Sequence, residues 1–133
     1  MQNVIYKAET GEGLKIKLPL PATAKNGSPT TYGPSGLRVI PQTDVATALL
    51  RSIGKAPQGL KNGEASCVLP GITLVLDLGT LPPGTQGGQA IYREPDGDLT
   101  LTKTSDFLGY ALPVAQPRGG WGVGIPANTA PPA

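Results

Sequence analysis

The chain has 133 residues, enough for one domain with one modest core. Hydrophobic residues make 38 % and charged residues 15 %, both low for a globular chain, and 19 Gly with 15 Pro reach the level at which disorder has to be weighed. A net charge of only +2 argues against charge-driven disorder, and the lack of histidine with a single cysteine, Cys67, excludes an intrachain disulfide and a Cys/His zinc site.

The charge is unevenly placed. Residues 1–62 hold eight Lys/Arg against three Asp/Glu, whereas residues 63–133 hold three against six. Such polarity can steer self-association or docking on an acidic surface, and it equally describes scattered solvated charges. No basic cluster interleaved with aromatics is present, so nucleic acid is not an expected partner. No apolar run approaches the roughly 18 residues of a membrane span, and the first residues lack a basic start followed by an apolar stretch. A soluble chain, intracellular at synthesis, is expected.

In chain order, "GLKIKLPLP" (13–21) alternates Leu14, Ile16, Leu18 and Leu20 with Lys15, Lys17, Pro19 and Pro21, the period of a strand with one wet face. Its prolines donate no main-chain hydrogen bond, which places its second half at a sheet edge or in an extended arm. Residues 1–20 are therefore set as an arm or edge strand, and 21–36, dense in turn residues, as a long Pro/Gly-rich loop. "GLRVIP" (36–41) is a short strand. "TDVATALLRSIG" (43–54) spaces Ala46, Leu49, Leu50 and Ile53 for one face of a helix, capped by Thr43 or Asp44 and ended at Gly54; an irregular strand competes.

"EASCVLPGITLVLDLG" (64–79) carries the strongest strand signal, with Ile72, Leu74, Leu76 and Leu78 expected inward and Pro70-Gly71 marking a bend or bulge. A turn at 81–88 leads to "GQAIYREPDGDLTLT", two strands around a Pro95/Gly97 turn with Leu99 and Leu101 inward. "FLGYALPV" (107–114) and "WGVGIP" (121–126) complete the set, and 127–133 is read as a loose tail. Many short strands at this spacing predict one mainly β domain, a small barrel or sandwich with its body over 37–126 and at most one short helix.

Little chemistry is visible. Without histidine the commonest general base is missing, and Cys67 in an apolar strand reads as a small hydrophobe. Glu94, Asp96 and Asp98 lack the pattern of a calcium loop and read as a solvated turn. "GTLPPGT" (79–85) mimics phosphate-loop spacing without the lysine, and "GGWGVG" (119–124) has no following helix. Trp121 and Tyr110 are expected to plug the core; exposed, they would suggest a sugar platform or a protein interface. No catalytic residue, metal or cofactor is assigned.

The stretches "GLKNGEASCVLPGI" (59–72), "GGQAIYREPDGDLTLT" (87–102), "LGYAL" (108–112) and "WGVGIP" (121–126) together resemble the small, β-rich phage head decoration (capsid cement) proteins. The pattern covers roughly half the chain; the loop at 21–36 and the helical stretch depart from it. The resemblance implies a structural virion protein, not an enzyme, made in the host cytoplasm. It would bind the outside of an assembled capsid through the major capsid protein and self-associate as a dimer or trimer. Tyr6, Lys7, Lys15, Lys17 and Tyr32 are the candidate capsid or self-contact residues on this reading. Another virion or cell-surface β module, such as a tail component or a carbohydrate-binding domain, is the alternative.

Overall fold

The computed structural model describes residues 3–8, 13–55, 59–103, 106–115 and 118–126. Within them, alternating apolar and polar residues build ten strands and one short helix. The strands are β1 (Val4–Lys7), β2 (Leu14–Pro19), β3 (Thr30–Tyr32), β4 (Leu37–Pro41), β5 (Glu64–Leu69), β6 (Ile72–Leu76), β7 (Ala90–Arg93), β8 (Leu99–Thr100), β9 (Phe107–Pro113) and β10 (Trp121–Pro126), with α1 (Ala48–Ser52) between β4 and β5. They form two antiparallel sheets, one ordered β1-β6-β10-β9-β7-β8 and the other β2-β5-β4-β3. The result is an open sandwich in which β1 and β2 are both edge strands.

The described parts of residues 1–20, β1 and β2, are thus sheet strands and not an arm. Leu14, Ile16, Leu18 and Leu20 are all buried, and β2 pairs with β5 along its whole length, from Leu14 opposite Leu69 to Pro19 opposite Glu64. Burying that many large apolar side chains outweighs what an extended, solvated segment gains in entropy. The edge-strand half of the expectation holds, and Pro19 sits where an edge tolerates it. The loop expected over 21–36 also contains β3, because Tyr32 is buried and Thr30 to Tyr32 pair with Val39 to Leu37.

The core between the sheets joins Leu14, Ile16 and Leu18 of β2 with Val39 of β4, Cys67 and Leu69 of β5, and Val75 and Leu112 of the facing sheet. Pro70 and Gly71 form the corner by which the chain leaves one sheet (β5) for the other (β6), Gly71 taking φ +81°. Along β6 the expected inward set is wrong. Ile72 and Val75 are buried, while Leu74 and Leu76 are half-buried on the opposite face, paired with Ile125 and Val123. The register skips Thr73, since Ile125 pairs with Leu74 but Pro126 pairs with Ile72. One extra residue inverts the alternation.

A second cluster lies on the outer face of the six-stranded sheet, where Ile91, Ala111 and Val123 are covered by Leu78, Leu81, Leu99, Leu101, Leu108 and Ile125. Of the strands in the stretches that resemble decoration proteins, β10, β9, β7 and β8 are consecutive neighbours in this sheet, whereas β5 lies in the other. Gly109 is required there, because a Cβ would run into the Gly124 carbonyl of the adjoining strand.

The helix is real but short, and its apolar stripe points outward. Thr47 is the cap, accepting the Leu50 N–H at 3.1 Å, rather than Thr43 or Asp44. Those two side chains are used elsewhere: Thr43 accepts the Ser66 N–H and Asp44 the Asn26 N–H. Ala46 is buried as expected, but Leu49 is 71 % and Ile53 55 % exposed. Polar contacts hold the helix instead, with Arg51 donating to the Asn62 side chain and to the Leu60 carbonyl. The tail at 127–133 lies outside the described residues.

Candidate functional site

Where the two edge strands come together, the side of the sandwich opens into a groove of about 470 Å³. One wall is β2, contributing Lys15, Ile16, Lys17 and Pro19. The opposite side is Tyr6 of β1 with Pro113, Val114 and Ala115 at the end of β9. Glu64 and Ser66 of β5 complete the lining.

The placement follows from strand periodicity. With Leu14, Ile16 and Leu18 committed to the core, Lys15, Lys17 and Pro19 must face out, next to Val68, Ser66 and Glu64, their respective partners in register. Tyr6 is half-buried, its ring packed on the core and its hydroxyl accepting the Ala115 N–H at 2.9 Å. That bond fixes the far wall. Glu64, the one carboxylate among the described lining residues, accepts the Lys61 N–H at 2.8 Å and so is partly used in a turn.

Three of the five candidate residues, Tyr6, Lys15 and Lys17, therefore meet at one groove. Lys7 is exposed on β1 and does not line it. Tyr32 is buried in the core, its ring against Gly87 and Gly88, and offers no surface to a partner. The sequence reading missed Glu64, Ser66 and Pro113 to Ala115, which reach the groove only through strand pairing across the chain.

Other polar features are structural. Cys67 is fully buried, and desolvation pushes its thiol from the ordinary 9.0 up to about 11, so it is held as the neutral thiol. Asp77 accepts the Gly79 N–H at 3.0 Å and pairs with Arg118 at 3.1 Å; the main-chain bond first, and then the arginine, hold its carboxyl below the usual range. At the β7–β8 turn Asp98 N–H donates to the Asp96 carboxylate and Gly97 N–H to the Glu94 carbonyl, a self-contained turn. Among the described residues no group of three or more Cys, Asp or Glu is placed to hold a metal ion, and no helix is long and apolar enough to cross a membrane.

Trp121 departs from expectation. It is 40 % exposed at the start of β10 and lines a shallow cleft of about 340 Å³ with Thr80, Leu81, Pro82 and Thr85. Tyr110 is half-buried, edge-on to Phe107 with centroids 5.4 Å apart, and Phe107 in turn packs at a tilt of 55° against buried Tyr92, with centroids 5.5 Å apart. Five of the six described aromatics, Tyr6, Tyr32, Tyr92, Phe107 and Tyr110, thus pack on the interior, and Trp121 has no aromatic companion among the described residues of its cleft.

Comparison with protein-family models, with curated proteins and with solved structures returns no match to this chain. What the groove can do is set by its own residues. Its described residues offer surfaces for contact: an apolar floor, a basic rim and a sheet edge.

Proposed function

We propose that this chain is a structural virion protein of the head decoration type, which binds the outside of an assembled capsid through the major capsid protein and stabilises the shell. What supports the reading is the resemblance of the stretches 59–72, 87–102, 108–112 and 121–126 to that family's turns and alternating hydrophobes, three of whose strands, β7, β9 and β10, lie side by side in one sheet. A rigid two-sheet body with an exposed strand edge suits a cement, because shell reinforcement needs stiffness and contact area rather than chemistry. In this reading the protein performs no catalysis and acts without a cofactor, at the capsid surface. The exposed apolar pair Leu49 and Ile53 supplies a surface for self-association on the shell as a dimer or trimer.

The direct experiment mixes purified protein with expanded and with unexpanded capsid shells and follows co-sedimentation. Decoration predicts that the protein travels with shells; protein left wholly in the supernatant with both would overturn it. One observation favours a second reading. Exposed Trp121 in its cleft suits stacking on a sugar, as in a carbohydrate-binding module. Glycan binding lost on Trp121→Ala, with no binding to shells, would establish that alternative.

A further inference from the structure

We propose that β2 receives an extended, acidic segment of the capsid shell protein as an added strand lying along the groove. The inference rests on the decoration reading for the identity of the partner and on the geometry for the chemistry of the segment.

The direction of the main-chain groups follows from the bonds on either side of β5. Leu20 N–H donates to the Gly63 carbonyl at 3.0 Å, so by strand alternation Leu18, Ile16 and Leu14 also turn their main-chain groups toward β5. On the other side of β5, the Ser66 carbonyl accepts Gln42 N–H at 2.7 Å and the Glu64 carbonyl accepts Ala46 N–H at 2.9 Å. Ser66 and Glu64 therefore face away from β2, and their partners Lys17 and Pro19 direct their main-chain groups to the edge with which no described strand pairs. That edge presents the Lys17 N–H and carbonyl and the Pro19 carbonyl. The proline stands at an outward position, where its missing N–H costs no bond in the sheet.

Charge selects the occupant. Lys17 is exposed on the outward face, beside Ser66 of β5. The β2 edge of a second copy would set lysines against lysines, the arrangement by which natural edges avoid pairing with themselves. A strand with a carboxylate opposite Lys17 turns that lysine into an attractive partner. Its intervening side chains fall toward Ile16, Pro113 and Val114, which favours apolar residues there. The segment that fits is thus an alternation of acidic and apolar residues, distinct from any part of β2 itself.

The test uses two blocked peptides, one alternating Val and Glu and one alternating Val and Lys, with amide hydrogen exchange of the full chain as readout. The acidic peptide is expected to slow exchange at Lys17 by at least about tenfold and to bind more tightly than the basic one. Lys17→Glu should reverse that preference without unfolding an exposed site. Lys17→Pro should weaken the acidic peptide by about tenfold, since it removes the outward donor. Lys17 exchange unchanged by the acidic peptide, or equal affinity for both peptides, would overturn the inference. Shell binding separates the two readings. Wild-type and Lys17→Glu proteins that co-sediment equally with shells leave decoration standing and refute the added strand. Protection of Lys17 by the peptide without co-sedimentation keeps an acidic strand at β2 but refutes the shell protein as its source.

Discussion

The Tyr6 hydroxyl accepts a 2.9 Å hydrogen bond from the main-chain N–H of Ala115, 109 residues further along the chain. It ties the first strand to the end of β9 and sets the width of the groove that β2 lines on its other side. The N-terminal strand is therefore part of the body and part of the site at once.

Tyr6→Phe removes only that acceptor. The bond is solvent-accessible, so its loss should cost about 0.5–1 kcal/mol, with faster amide exchange at Ala115 while the protein stays folded. Deleting residues 1–8 removes the pairing of β1 with β6 as well, and a large drop in thermal midpoint is expected. A deletion that left the midpoint unchanged would show that β1 is dispensable to the fold.

The inverted alternation of β6 makes an unusual forecast: the smaller side chain matters more. Val75→Ala should destabilise by about 2 kcal/mol or more, because Val75 is fully buried between the sheets. Leu74→Ala, at a half-buried position on the other face, should cost less. Urea midpoints at unchanged slope would rank the two, and the reverse order would contradict the bulge at Thr73.

Those two cases show how far the sequence can be read. Element positions were legible wherever Gly and Pro bound an alternating run, as in β2, β4, β7, β9 and β10, and so was the sandwich class. The facing of β6 was not, since "ITLVL" carries no local mark of an extra residue and only its pairing with β10 reveals one. The stripe of α1 was misleading for a related reason. Its spacing is helical, but Arg51 bonds to Asn62 and the Leu60 carbonyl, and that anchor turns Leu49 and Ile53 to solvent. Lys15 and Lys17 could be picked out as wet-face residues, whereas the groove they line depends on Tyr6 and Pro113 to Ala115, brought together by sheet order alone.

Cys67 links burial to pH. Its folded pKa of about 11 exceeds the ordinary 9.0, so above pH 9 the unfolded chain releases a proton that the folded one retains. The thiol's contribution to stability is complete below pH 9 and is lost as pH rises through 11. Chemical denaturation across that window should show a falling stability that Cys67→Ala makes shallower, the remainder coming from Tyr32 and Tyr110, whose hydroxyls burial also pushes up. In the native protein at neutral pH a thiol reagent should react only after unfolding; fast reaction would contradict the burial.

For Asp77 the sign is opposite. Its carboxyl is held below the usual range, so the stabilising contribution is present above the ordinary carboxylate pKa and lost as pH falls through the folded value. Arg118→Ala should raise that pKa only part of the way, because the Gly79 N–H is the larger cause and remains. A full return to the ordinary value, measured by NMR titration, would reassign the shift to the arginine.

The central claim is that this β body cements a shell, and saturation binding to purified expanded capsids measures it most directly. Decoration predicts a plateau at a fixed ratio of bound chain to shell subunit, set by the lattice, together with a higher temperature of shell disruption at the plateau. Binding that never saturates, or a saturated shell that opens at the same temperature as a bare one, would contradict it.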